Sequence, residues 1–116
     1  MTTVYGIKNC DTIKKTLKWL TNNDIEHTFH DYRKDGLNAD WLESVVSELG
    51  WENVLNKRGT TYRQLSDEQK STLNAETAIA LLIEYPAMIK RPIIQTGSDL
   101  ILGYNETVLT EKLNGN

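Results

Sequence analysis

Cys10 is the only thiol in the chain, and it stands in the run Tyr5-Gly-Ile-Lys-Asn-Cys-Asp-Thr-Ile-Lys-Lys15 with lysines at 8, 14 and 15. A cysteine does chemistry as its thiolate, and nearby cations or the start of a helix stabilise that anion. Nucleophilic attack on sulfur, or on another electrophile, is the chemistry this spacing favours. The plain alternative is packing, because free cysteine is among the most buried residue types. A second cluster lies far along the chain in Lys90-Arg-Pro-Ile-Ile94. A proline that opens a strand is a candidate for the cis form, and Arg91 before it carries a guanidinium suited to a carboxylate, an oxyanion or a thiolate. The alternative there is an edge-strand proline beside a solvated arginine.

These side chains need elements to hold them. Residues 2 to 7 (TTVYGI) are β-branched and aromatic and read as a short buried strand that ends at Lys8-Asn9. Ile13, Leu17 and Leu20 then recur at helical spacing, with the stop at Asn22-Asn23-Asp24, so Cys10 falls at the junction where unpaired backbone N–H groups favour an anion. Asn9 and Asp11 flank it as loop-orienting or capping residues, and Thr12 offers a hydroxyl to the thiolate. Ile25 to Tyr32 reads as a second strand with Phe29 as its buried centre. Strand, helix, strand implies a parallel pair.

Asn38 caps a helix with Trp41, Leu42, Val45, Val46 and Leu49 on its apolar face, and Gly50 ends it. Ser66 with Gln69 forms a capping box for a short helix near 67 to 72. A third helix, 75 to 84, turns Ala78, Ile79, Leu82 and Ile83 inward and is closed by Pro86. Residues 92 to 103 read as an antiparallel hairpin turning at Gly97-Ser98-Asp99. Asn105 caps a last helix. The order βαβ, helical insertion, ββα predicts a thioredoxin-like α/β fold with a mixed sheet of about four strands. The expected organisation is one domain over 1–116, with the insertion at about 38–85.

The balance of 13 basic against 16 acidic residues gives a net charge of −3, which argues against direct nucleic-acid binding. The longest apolar run, Ala78 to Ile83, is too short to span a bilayer. Without a leader-like N-terminus or a cysteine pair, the chain is expected to be cytoplasmic. His27 and His30 fall on opposite faces of their strand and make a poor metal site, so no metal is expected. Trp19, Trp41 and Trp51 read as core residues rather than base-stacking platforms, and Tyr5 and Tyr62 as packing residues.

Four segments together carry a resemblance: YGIKNCDTIKK near the start, Asn56-Lys-Arg-Gly-Thr-Thr-Tyr-Arg-Gln-Leu65, Tyr85-Pro-Ala-Met-Ile-Lys-Arg-Pro-Ile-Ile94, and Gly103-Tyr-Asn-Glu106. In that order they resemble the ArsC/Spx family, and within it the YffB-like reductase branch. The resemblance implies a thioredoxin-like fold, a cysteine after the first strand and a cis-proline after an arginine. Glutaredoxin-linked arsenate reductases of this family surround the cysteine with three arginines. Only Arg91 maps onto one of them, since Asn56 and Gly103 hold the other two positions and Arg58 lies close by in sequence. Each charge-assisted contact is worth on the order of 1.5 to 3 kcal/mol, so arsenate reduction is expected to be weak or absent. Spx regulators carry a Cys-x-x-Cys switch, and Ile13 here excludes it.

The resemblance and the lone thiol together imply a glutathione-dependent thiol reductase of the arsenate reductase-like type. Its expected catalytic residues are Cys10 and Arg91, and its substrate-binding residues are Arg58, Lys8, Thr12, Asn9 and Pro92. Glutathione serves as co-substrate with no tightly bound cofactor, and glutathione or a glutaredoxin resolves the mixed disulfide. The alternative is an Spx-like regulator that docks on the RNA polymerase α subunit.

Overall fold

The computed structural model describes residues 2–8, 10–97 and 99–114. In chain order they form β1 (Thr2–Gly6), α1 (Asp11–Asn22), β2 (His27–Asp31), α2 (Tyr32–Asp35), α3 (Ala39–Leu49), α4 (Trp51–Val54), α5 (Thr60–Arg63), α6 (Asp67–Ser71), α7 (Ala75–Glu84), a 3-10 turn (Pro86–Met88), β3 (Ile93–Thr96), β4 (Asp99–Leu102) and α8 (Glu106–Leu109), which runs into a wider turn at Thr110–Asn114. The chain divides into two compact units, residues 1–35 with 91–116, and residues 36–90.

The first unit holds a mixed four-stranded sheet of order β2-β1-β3-β4, the expected thioredoxin-like arrangement. β1 pairs with β2 in parallel, Val4 opposite Phe29, and with β3 antiparallel, Val4 opposite Ile94; β3 continues into β4 with Ile94 opposite Ile101. Because side chains alternate along a strand, these residues share one face. Val4, Ile94 and Ile101 form the core with Ile13 and Leu20 of α1 and Leu109 of α8, all nearly inaccessible to solvent, whereas Phe29, expected as the buried centre of its strand, is only half-buried against them because β2 is an edge strand. Burying an aliphatic side chain of this size contributes about 1.5–3 kcal/mol, so the sheet holds α1, and with it residue 10, firmly in place.

The second strand is shorter than its sequence suggests. It stops at Asp31, whose Oδ1 accepts a bond from the Arg33 backbone N–H at 2.9 Å, while the Asp31 N–H donates to Asp35 Oδ2 at 3.0 Å. Two aspartates in one turn satisfy backbone groups locally, and Tyr32 therefore opens a helical turn instead of extending the strand.

In the second unit, Leu42, Val45 and Val46 of α3 and Ala78 and Leu82 of α7 are buried. The expected caps at Asn38, Ser66 and Gly50 are present. Three differences appear. Five helices stand where three were expected, because α4 and α5 are single turns of 4 residues each, too short to show a period. Ile83 is 40% exposed rather than turned inward, and Ile79 is half-buried. The three tryptophans, expected in the core, are all half-buried. Lys57 lies over the Trp51 ring at 5.8 Å, an arrangement that suits an aromatic with one wet face.

Candidate functional site

Cys10 is the N-cap residue of α1. Its backbone is extended (φ −102°, ψ 130°), and its carbonyl accepts the first helical bond from the Lys14 N–H at 3.0 Å. Its side chain makes no cap hydrogen bond and is half-exposed. An N-cap is normally Ser, Thr, Asp or Asn, whose oxygen satisfies an orphan N–H. The Cys10 side chain instead packs in part against the core cluster that holds Val4, Ile13 and Ile94, at the positive end of a 12-residue helix.

Gly6 explains how the helix is seated. A Cβ there would meet Ile13 at its Cδ1 and at Cγ1, the latter 3.0 Å away. Only glycine lets Ile13 lie directly on β1, and this close approach fixes the first turn of α1 against the end of the strand. The same Cβ would lie 3.9 Å from Arg91 Cγ, so the Arg91 side chain also runs beside Gly6. Arg91 is half-buried. Its guanidinium acts on Tyr32, whose hydroxyl is pushed well above the usual phenol range by burial first and then by Tyr5, with Arg91 working in the opposite direction. Tyr5, His30 and Tyr32 group around this point, with the Tyr5 and His30 rings 5.1 Å apart and the Tyr5 and Tyr32 rings 6.4 Å apart.

The Arg91–Pro92 peptide bond is cis. Pro92 is buried next to the first residue of β3, and its carbonyl accepts a bond from the Gly103 N–H at 2.9 Å. Gly103 has a φ of +86°, a left-handed conformation that disfavours residues with a side chain. Glycine is therefore needed to bring that N–H onto Pro92, and an arginine there would be strained. Asn56 is likewise tied into the backbone around it, since its Oδ1 accepts from the Arg58 N–H at 3.1 Å and its own N–H donates to the Met88 carbonyl at 2.8 Å. Both residues at the expected arginine positions are thus built into turns, which residue type alone does not reveal.

The remaining expected site residues are distributed as follows. Lys8 is exposed just beyond β1, and Thr12 is half-buried in the first turn of α1 with its carbonyl accepting from the Thr16 hydroxyl at 2.8 Å. Asn9 lies outside the described residues. Arg58 is exposed in the second unit, in a hollow of about 310 Å³ that Lys57 and Lys90 also line. Ile13, at the position of a second redox cysteine in the regulators, is a core residue 2% exposed. Among the described residues no group of three or more His, Cys, Asp or Glu is arranged to hold a metal, and no helix is long and apolar enough to cross a membrane.

The model of the ArsC family matches residues 5–111. The chain belongs to the ArsC family. An uncharacterised protein of Haemophilus influenzae is 50% identical over 106 residues, covering 91% of this chain and 93% of that one. The global transcriptional regulator Spx of Staphylococcus haemolyticus is 28% identical, covering 91% and 82%. Among solved structures, a YffB protein superposes with a TM-score of 0.94 at 38% identity, over 97% of this chain and 99% of the other. An arsenate reductase (ArsC) related protein from Brucella melitensis gives 0.79 at 40% identity, over 96% and 92%.

Proposed function

We propose that this ArsC-family protein is a glutathione-dependent thiol reductase in which Cys10 is the nucleophile. The observation that carries the reading is the N-cap position of a half-exposed thiol whose side chain takes no part in capping. Thiolate at this position attacks a disulfide sulfur, the departing thiolate carries away the electron pair, and Cys10 is left in a mixed disulfide. Cys10 is the chain's only cysteine, so an external thiol must resolve that intermediate, and glutathione or a glutaredoxin supplies it. Lys8 and Arg91 provide positive charge for the carboxylates of glutathione. The places of Asn56 and Gly103 in their turns support weak or absent arsenate turnover.

The test is intact-mass analysis after incubation with oxidised glutathione. One adduct at Cys10, removed by reduced glutathione or a glutaredoxin, is the expected result. An unmodified protein would overturn the reading.

A second reading has one observation in its favour, the likeness to the regulator Spx. A protein of that kind would bind the RNA polymerase α subunit without turnover. Core Ile13 argues against its redox switch, and a pull-down with the purified α subunit tests the binding itself.

A further inference from the structure

We propose that a groove beside the first turn of α1 seats an apolar, carboxylate-bearing group of the disulfide that Cys10 attacks, which makes apolar acidic disulfides the substrate class. This rests on the thiol reductase reading and specifies what the reductase accepts. The groove has a volume of about 380 Å³ and is floored by Ile13 and Leu17 of α1 and Phe29 of β2. That size lies within the ~300–1,000 Å³ of small-molecule pockets, which are typically apolar with a few placed polar groups.

Charge complementarity fixes the sign of the occupant. Lys8, Lys14 and Lys34 line the groove and are exposed. Asp31 and Asp35 line it too, but both carboxylates accept backbone N–H bonds at 2.9 and 3.0 Å that close the turn from β2 into α2. Both keep their negative charge, Asp31 buried and Asp35 exposed, so the three exposed lysines leave the groove a single positive charge in excess, which over an apolar floor favours an anion with an apolar body. Cys10 does not itself line the groove, but Lys8, Ile13 and Lys14 of its lining flank Cys10 along the chain, the last two in the same helical turn. One turn rises roughly 5.4 Å, a span that a ring or short chain between a sulfur and its carboxylate can bridge.

The chemistry balances with glutathione as reductant. Cys10 thiolate attacks the sulfur that carries the apolar acid, the S–S bond breaks, and the other half leaves as a thiolate with the electron pair. A glutathione thiolate then attacks Cys10 Sγ, releasing the apolar acid as its thiol and leaving Cys10 joined to glutathione. A second glutathione frees Cys10 and departs as oxidised glutathione. Two thiols lose two electrons in total and the substrate disulfide gains them.

The test compares the rate of Cys10 modification by three disulfides: 5,5′-dithiobis(2-nitrobenzoate), which is aromatic and anionic; 2,2′-dithiodipyridine, aromatic and uncharged; and dithiodiglycolate, anionic without a ring. In Lys34→Glu and Leu17→Asn the aromatic dianion should slow about tenfold relative to dithiodiglycolate, the size of one lost contact of ~1.4 kcal/mol. Lys112→Glu, on the C-terminal turn, should leave all the ratios unchanged. An equal fall for both dianions would mean charge steering without a groove and overturn the proposal, as would no change for any of them. Reaction with none of the three in the unaltered protein would instead overturn the reductase reading beneath it. A direct measurement stands beside the rates: 1-naphthoate, which has no sulfur, should shift the NMR signals of Ile13, Leu17 and Phe29, and unshifted signals at millimolar ligand would also overturn the proposal.

Discussion

Two cation-lined hollows of similar size occur in this chain, and they differ in what lies beneath the charge. In the first unit, Lys8, Lys14 and Lys34, with Asp31 and Asp35, surround Ile13, Leu17 and Phe29 in about 380 Å³; in the second, Lys57, Arg58 and Lys90, with Glu52, surround Asn53, Asn56 and Leu55 in about 310 Å³. An apolar floor gains free energy from every CH₂ it covers, so the first hollow can hold an amphipathic anion by area and charge together. A floor of amides keeps its water and leaves charge alone to act, and exposed charge is weak and screened by salt. The number of cations is therefore a poor guide to a binding site; the surface under them decides.

The sharpest way to break this contrast is to remove the thiol. Cys10→Ala should abolish adduct formation with every disulfide, because the second hollow has no nucleophile of its own and no other cysteine exists in the chain. Mass spectrometry reads the outcome, and any remaining disulfide adduct would contradict the assignment. The next effect is on the scaffold. Gly6→Ala forces a Cβ against Ile13 and should destabilise the protein by about 1–3 kcal/mol. Gly59→Ala, with φ −77° and nothing nearer than Asn56 Nδ2 at 3.4 Å, should be close to neutral. Thermal melts of the two variants measure how much more tightly the first site is built.

Much of this arrangement is legible in the sequence, for reasons that particular residues make plain. Strong periodicity marks α1 and α3, and Asn38, Ser66 and Asn105, read as caps, are the cap residues of their helices. Cys10 at a strand-to-helix junction and Pro92 at a strand entrance are visible as types in telling places. What stays hidden depends on contacts across the fold. Nothing local shows that Gly6 must be bare for Ile13, that Gly103 is left-handed to reach Pro92, or that Asn56 is tied into its turn. The apolar groove is hidden too, because Phe29 and Leu17 meet only once β2 and α1 are assembled. Ile83 misleads for the opposite reason: its spacing is helical and apolar, yet α7 leaves it outside.

Arg91→Ala should slow both formation and reduction of the glutathione adduct by about tenfold or more, since one charge-assisted contact is worth roughly 1.5–3 kcal/mol. Stopped-flow rates with oxidised and reduced glutathione measure it. A rate indifferent to the change would confine Arg91 to the aromatic group at Tyr5 and Tyr32.

The smallest effect is expected at Arg58, and it separates the two hollows most directly. Arg58 is exposed among Lys57, Lys90 and two asparagines, so any anion it meets remains hydrated and loosely held. Arg58→Ala should change the rate with oxidised glutathione by about twofold at low salt, and the difference should vanish near 0.5 M NaCl, where the Debye length falls to roughly 4 Å. Binding of an aromatic carboxylate to the first groove should survive the same salt in large part, because its apolar contacts do not depend on screening. Titrating both at two ionic strengths decides the matter: if Arg58→Ala costs tenfold or more and salt leaves that loss intact, the amide-floored hollow is a true anion site and the contrast drawn from its floor is wrong.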